Sequence, residues 1–576
     1  MLFSSVFWLV SFPSLTLFSY VALHTQAANH VHQPLETRSS SINQTYRTAY
    51  HFQPAKNWMN GPMRYKGLYH FFYQYNPKAA VWGNITWGHS VSPDLVNWTS
   101  LDLALVPSQP YDNGGCWSGS ATILPDGKPV LMYTGNDLNN HETQNLAMPK
   151  NASDPFLKEW VKSPKNPLLA PNNVNRINAT SFRDPTTAWL GRDGWWRVIL
   201  GSQNRRRGVA LLYRSKDFVH WIQAKHPLHS AKDTGMWECP DFFPVLVKSP
   251  FGVDTSFNGP NVRHVLKISL FDAQHDSYLI GNYDTIKDIF IPDKGFEDNN
   301  YSVLRYDYGK FYASKTFYDD AKKRRILWGW VKESSNKDDD IKKGWSGIQG
   351  IPRSIWLHES GKQLVQWPVV EIEKLRTNPV NWPSKVLKGG ELLQVSGVTA
   401  AQADVEISFK VKEFGKVEEF EPSWKLDPQS LCNQKGAGAA VRGGLGPFGL
   451  LVLASKGLEE HTAVFFRVFK IPINNRYVVL MCSDQSRSSL NHNNDLTTYG
   501  AFLDMDPLHE QLSLRTLIDH SVVESFGGEG RACITARVYP TLAVKEDAHL
   551  YAFNNGTANV IITRLSAWSI NKAQIN

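Results

Sequence analysis

Three short stretches gather aromatic, amide and carboxylate side chains: Asn57-Trp58-Met59-Asn60, Phe182-Arg183-Asp184-Pro185 and Met236-Trp237-Glu238-Cys239-Pro240-Asp241-Phe242. That combination suits a sugar. A furanose or pyranose ring has a flat C–H face that an indole can cover, and a rim of hydroxyls that Asp, Arg and Asn can hold in pairs. Breaking a glycosidic bond needs two carboxyl groups. One is kept protonated by its surroundings to release the leaving oxygen, and the other is ionised to attack or to activate water. The three stretches hold carboxylates at Asp184, Glu238 and Asp241. No His, Cys and Asp spacing fits a metal-ligand set, and this chemistry calls for no metal or other cofactor.

The elements that must position these groups read as strands. From about residue 45 the chain is a succession of short β-type runs broken by Gly, Pro, Asn and Asp, such as Leu68–Tyr73 and Val130–Thr134. A repeat overlies them: Ser92-Pro93-Asp94-Leu95-Val96-Asn97-Trp98 matches Ser215-Lys216-Asp217-Phe218-Val219-His220-Trp221, and a looser copy ends at Trp160. The closing tryptophans are 61 to 62 residues apart. Such a period suits a four-stranded propeller blade with generous loops, with the tryptophans packing between blades. The expected fold is all-β: a five-bladed β-propeller over residues 45–375, a Pro- and Gly-bearing linker at 376–390, and a β-sandwich over 391–576, where alternation of period two implies sheets with one buried face.

Of the 576 residues, 61 are Lys or Arg and 53 are Asp or Glu, a net charge of +8 without a basic arm. The clusters Arg205-Arg206-Arg207 and Lys322-Lys323-Arg324-Arg325 read as solvated surface, so no nucleic-acid partner is expected. Residues 1–27 carry no charged side chain, contain an apolar run and close on Ala27-Ala28, which reads as a secretory signal peptide; no membrane anchor is expected after its cleavage. Five cysteines cannot all pair, and Cys432 with Cys482, both in the second domain, is the first candidate disulfide. Asn43, Asn84, Asn97, Asn151, Asn178, Asn300 and Asn555 stand in N-x-S/T sequons.

The motifs W-M-N (58–60), H-F-F-Y-Q-Y-N-P (70–77), W-S-G-S-A-T (117–122), F-R-D-P (182–185), W-E-C-P-D-F-F (237–243) and D-H-S-V-V-E-S-F-G-G (519–528) run nearly the length of the chain. On them the sequence resembles plant cell-wall invertases and fructan exohydrolases, members of glycoside hydrolase family 32. The resemblance implies the same propeller and sandwich, a secreted protein of the apoplast or cell wall with wall-polysaccharide association, and hydrolysis of terminal β-D-fructofuranosyl residues of fructan or sucrose. It implies Glu238 as acid/base and Asp184, beside Arg183, as the group that holds fructosyl hydroxyls and stabilises the transition state. Asn57, Trp58, Asn60, Gln74, Trp82, Trp117 and Ser118 then fall on the fructosyl pocket.

One motif departs from the family. Its first signature continues W-M-N-D-P-N-G-P-M, and that Asp is the nucleophile; here Asn60 is followed directly by Gly61-Pro62-Met63. In the plant members the missing tripeptide is encoded by a very small exon of its own, so an omitted exon explains the gap better than point mutation. A retaining mechanism wants its two carboxyls about 5 to 5.5 Å apart, and one is absent, so impaired hydrolysis is expected. The loop is expected to absorb the shortage, because a slipped strand would bury the wrong faces.

Pro240 after Cys239 is of the cell-wall type. Phe271 and Gln274 stand where true invertases commonly carry the Asp and Lys that orient the glucosyl unit of sucrose. Loss of that charged pair favours a fructan exohydrolase over an invertase. The rival reading is a secreted, non-catalytic fructoside-binding or regulatory protein.

Overall fold

A computed structural model describes residues 44–60, 63–172, 177–295, 304–436, 439–474 and 476–576. The expected signal segment and the sequons at Asn43 and Asn300 lie outside the described residues, as do the side chains of Trp58 and Asn60.

Five antiparallel sheets follow one another as blades. Blade I holds Asn57–Asn60, Leu68–Asn76, Thr86–Ser92 and Thr99–Leu105, and blade II holds Gly115–Ile123, Pro129–Asn136, Glu142–Pro149 and Trp160–Lys162. Blade III comprises Phe182–Arg183, Trp196–Asn204, Arg207–Ser215 and Trp221–Gln223; blade IV comprises Trp237–Leu246, Val262–Leu270, His275–Asp284 and Ile289–Pro292. Blade V holds Phe311–Asp319, Arg324–Val331, Arg353–Leu357 and Leu364–Pro368. The ring is closed by Trp345–Ser346, which pairs in parallel with Asn57 and Trp58.

Each seam between blades has its own apolar cluster. The repeated tryptophans occupy successive seams. Trp98 of blade I is buried against blade V with Phe71 and Trp328, Trp160 of blade II packs on the I/II cluster, and Trp221 of blade III packs on the II/III cluster. Their placement comes from a local turn. Asp94 Oδ1 accepts from the N–H groups of Val96 and Asn97, Asp217 Oδ1 from those of Val219 and His220, and the residue between (Leu95 or Phe218) adopts a φ near +65°. Aspartate satisfies this turn by capping its own backbone, which swings the following indole inward.

Arg376–Trp382 and Lys385–Leu387, within the expected linker, are strands paired with Val560–Ile570 in the first sandwich sheet. The passage between domains is instead the turn Val370–Leu375. Pro379 and Pro383 lie on and beside an edge strand, which tolerates them. The two sandwich sheets enclose a core in which Val405, Ile407 and Phe409 from one face Phe448, Leu450 and Phe466 from the other. Cys432 and Cys482 are disulfide-bonded, tying the helix Pro428–Gly436 to the outer sheet; Cys116, Cys239 and Cys533 are free and buried.

The motif at 519–528 lies at the junction between propeller and sandwich. Asp519 accepts from the backbone N–H groups of Ala49, Tyr50 and His51, and the His51 ring sits between Asp519 (2.8 Å) and Glu524 (3.0 Å). Arg353 of blade V reaches Glu524 at 2.8 Å. All these groups are fully buried, so each charge depends on its partner.

Candidate active site

The first strands of four blades deliver side chains or strand ends to one place on the propeller axis. Blade II brings Trp117 and Ser118, blade III Arg183 and Asp184, blade IV Glu238 and Cys239, and blade V Tyr312 and Ala313 around a cavity of about 430 Å³. Three of these strands break their pairing there, between Cys116 and Gly119, Glu238 and Asp241, and Tyr312 and Lys315. A bulge re-aims side chains that a regular strand would send to alternate faces, which lets neighbouring residues of one strand share a pocket. Gly201 permits the close approach of blades III and IV: a Cβ there would stand 2.0 Å from the carbonyl oxygen of Trp237.

At the centre, Arg183 joins two carboxyl groups. Its Nε and Nη2 donate to Glu238 Oε1 at 3.1 and 3.0 Å, and its Nη1 donates to Glu142 Oε1 at 2.8 Å. The Tyr312 hydroxyl donates to Glu238 Oε2 at 2.6 Å. Burial pushes the Glu238 carboxyl up; the Arg183 charge pulls it down, Asp184 pushes it up again, and the net direction is upward. Burial likewise raises Glu142 to about 7, against the pull of Arg183. A carboxyl raised in this way keeps its proton at mildly acidic pH, as a general acid must.

Asp184 is almost fully buried and its φ is +66°. Its backbone N–H donates to the Thr134 hydroxyl, and its Oδ2 accepts from the N–H of Cys239 at 2.8 Å. Beneath it, Lys315 Nζ donates to the carbonyl of Pro240 at 2.8 Å, bracing the blade IV strand.

Of the residues singled out from the sequence, Gln74, Trp82, Trp117, Ser118, Arg183, Asp184, Glu238 and Phe271 line the cavity. Gln74 Nε2 donates to Ser118 Oγ at 2.6 Å, and the Trp82 and Trp117 rings meet edge to face at 5.7 Å. Asn57 does not line it: its amide donates to the Tyr75 hydroxyl and its backbone N–H to Gly344, so it serves the ring closure. The backbone of Asn60 lies opposite Gln74, at the cavity wall. Gly61 and Pro62 are outside the described residues. On either side of them Asn60 faces Gln74 and Met63 faces His70, while Leu68–Asn76 keeps its pairing with Thr86–Ser92. Across them the pairing onto Leu68–Asn76 changes by one residue, from Asn60 opposite Gln74 to Met63 opposite His70.

Sequence reasoning missed Glu142, Tyr312, Asn140, Thr180 and Trp330 as lining residues. No motif flagged them; Glu142 opens the third strand of its blade, where only the fold brings it to Arg183. At the rim, Gln274 Nε2 donates to the Phe271 carbonyl at 2.6 Å and Lys332 Nζ donates to Gln274 Oε1 at 3.2 Å, fixing the turn that presents the half-exposed Phe271 ring. Among the described residues no cluster of His, Cys, Asp and Glu could hold a metal ion.

Buried carboxyls linked through an arginine, flanked by indole and phenyl platforms on a propeller axis, define a carbohydrate-cleaving class of site. The chain belongs to the glycosyl hydrolases of family 32: the model of that family's N-terminal domain matches residues 51–368, and that of its C-terminal part matches residues 371–569. Among its relatives, the cell wall isozyme of beta-fructofuranosidase from Pisum sativum is 68% identical over 548 residues, covering 93% of this chain and 98% of that protein. A fructan 6-exohydrolase from Beta vulgaris is 62% identical over 537 residues, covering 92% and 88% respectively. The crystal structure of fructan 1-exohydrolase IIa from Cichorium intybus superposes with a TM-score of 0.90 at 54% identity, covering 93% of this chain and 99% of that one.

Proposed function

We propose that this protein is a secreted member of the family that receives a terminal, non-reducing β-D-fructofuranosyl unit in the axial pocket, with fructan favoured over sucrose. The observation that carries the reading is Glu238 held between Arg183 and Tyr312 in a pocket shared with Asp184. In this reading Glu238 is the acid/base that protonates the leaving oxygen. Asp184 binds fructosyl hydroxyls and stabilises the transition state, and Gln74, Ser118, Trp82 and Trp117 surround the ring. Phe271, an exposed aromatic in place of a charged pair, gives the leaving side a platform for a further sugar. The net charge of +8 supports association with acidic wall polymers.

The nucleophile is the missing part. Asp184, Glu142 and Glu238 are the carboxylates among the described lining residues, and Glu142 is committed to the Phe182 N–H and to Arg183. The chain therefore binds fructosides and hydrolyses them slowly. Inserting Asp-Pro-Asn between Asn60 and Gly61 restores a retaining double displacement and raises the rate on inulin, levan or sucrose by about 10⁴-fold or more. Fructose release at a normal rate by the chain as it stands would falsify the impairment. Failure of both forms to release fructose, with binding retained, favours the second reading: a non-catalytic fructoside-binding or regulatory protein that keeps Arg183, Asp184 and Glu238 but has lost attack.

A further inference from the structure

A buried ion pair stands behind the pocket without lining it. Lys267 and Asp276, on the second and third strands of blade IV, are both fully buried, with Lys267 Nζ 3.3 Å from Asp276 Oδ2. Either charge would be costly to hide alone, so the contacts the two share define what they do.

Those contacts all go to strand bulges. Cys239 and Pro240 in blade IV, and Ala313 and Ser314 in blade V, drop out of their ladders, which leaves backbone groups that a regular strand would have paired. The ion pair serves both bulges. Lys267 Nζ donates to the Cys239 carbonyl at 3.1 Å and to the Ser314 carbonyl at 2.6 Å, while Asp276 accepts from the N–H groups of Ala313 at 3.2 Å and Ser314 at 2.8 Å. Ser269 Oγ completes the set, accepting from Lys267 at 2.8 Å and donating to Asp276 at 2.5 Å. Cys239 and Ala313 stand at φ +42° and +53°, a region that residues other than glycine occupy only where their surroundings fix them. The residues just before them are Glu238 and Tyr312, whose side chains meet at 2.6 Å.

We propose that Lys267 and Asp276 are positioning residues that lock the two bulges in register and so hold the Tyr312 hydroxyl on Glu238. The role rests on the reading of Glu238 as the acid/base. The titratable and charged groups that face this carboxyl are Arg183 and Asp184 from blade III and Tyr312 from blade V, and the ion pair makes no hydrogen bond to it. Its influence on Glu238 therefore passes through Tyr312.

Lys267→Met alone would strand the Asp276 charge, so the test combines Lys267→Met with Asp276→Leu, which removes both charges and keeps apolar bulk. The blades stay joined without the pair, because Lys315 on the Pro240 carbonyl and Asp241 on the Thr316 N–H connect the same strands past the bulges. Asp276→Asn, which keeps the shape and gives up one of two acceptors, is the milder second variant, examined in the same ways. Crystal structures of the full-length variants should show the Tyr312 hydroxyl beyond hydrogen-bond distance of Glu238, with the remaining strand pairing of blades IV and V kept. An unchanged contact in both overturns the proposal. In the chain with Asp-Pro-Asn inserted between Asn60 and Gly61, the double substitution should lower kcat by about 10²-fold with KM nearly unchanged. Burial pushes the Glu238 carboxyl up and the Tyr312 hydrogen bond draws it down, so the alkaline limb of the rate profile should move to higher pH, as in Tyr312→Phe. Adding Tyr312→Phe to the double variant should move the limb no further, and additive shifts overturn the proposal. An inserted chain that releases no fructose with Lys267 and Asp276 in place overturns the hydrolytic reading instead, and the crystal structures still decide the positioning role.

Discussion

Asp184 and Cys239, two residues in left-handed backbone conformation on adjacent blades, are joined by a 2.8 Å hydrogen bond from the Cys239 N–H to Asp184 Oδ2. The same carboxyl group that faces the cavity therefore also fastens blade III to blade IV. Asp184→Asn keeps an acceptor for Cys239 and should leave the melting temperature nearly unchanged. In the tripeptide-restored chain it should lower fructose release by about 10²–10³-fold. Asp184→Ala should lose a further ~1–3 kcal/mol of stability, because the buried N–H loses its partner. Paired thermal melts and initial rates separate the two effects.

The Arg183 charge and the Tyr312 hydroxyl both hold the Glu238 carboxyl down against burial. Removing either should raise it further. Since an acid works while protonated, the alkaline limb of the rate profile in the restored chain should move to higher pH in Arg183→Gln and in Tyr312→Phe. A limb that stays in place would show that another group sets it.

Phe271 and Gln274 form one turn held by Lys332. The double substitution Phe271→Asp with Gln274→Lys in the restored chain should shift the ratio of kcat/KM values toward sucrose and away from inulin. About tenfold or more is expected where a hydroxyl gains a charged partner. A ratio that does not move would place fructan selectivity elsewhere on the rim.

Stability should have a defined pH window set by the junction between domains. Burial pushes Glu524 up, but Arg353 and His51 bring it down from 4.5 to about 2, so its contribution is complete above 4.5 and fades as pH falls toward 2. Burial lowers His51, but Asp519 and Glu524 raise it on balance above 6.5, so its contribution is complete below 6.5 and is lost as pH rises through the raised value. Melting temperature should therefore peak between these limits. His51→Gln should flatten the alkaline side, and Glu524→Ala should cost ~3–5 kcal/mol, the usual penalty for stranding a buried partner charge.

The architecture was legible because its signals are local. The Asp94 and Asp217 turns repeat a short pattern, and each is finished by an indole that must be buried. Arg183, Asp184 and Glu238 were legible because they sit in compact motifs at strand starts. Glu142 and Tyr312 were not, since their closeness to Arg183 and Glu238 arises from the angular placement of blades, which no spacing along the chain encodes. Asn57 shows the reverse: it lies within a motif, yet its amide goes to Tyr75 and the ring closure. Residues 376–390 looked like a connector because edge strands share the composition of loops.

The pairing of Asn57 and Trp58 with Trp345 and Ser346 fixes when the pocket can exist during synthesis. Blade I leaves the ribosome first, but its first strand lacks its parallel neighbour until Trp345 has emerged, and His51 has no counter-charges until Asp519 and Glu524 follow. The N-terminal strand must therefore wait, with an unpaired edge, until more than half of the chain has been made. Chains cut short before residue 345 should carry that open edge into solution, which makes such truncated products of this protein prone to associate rather than to bind sugar.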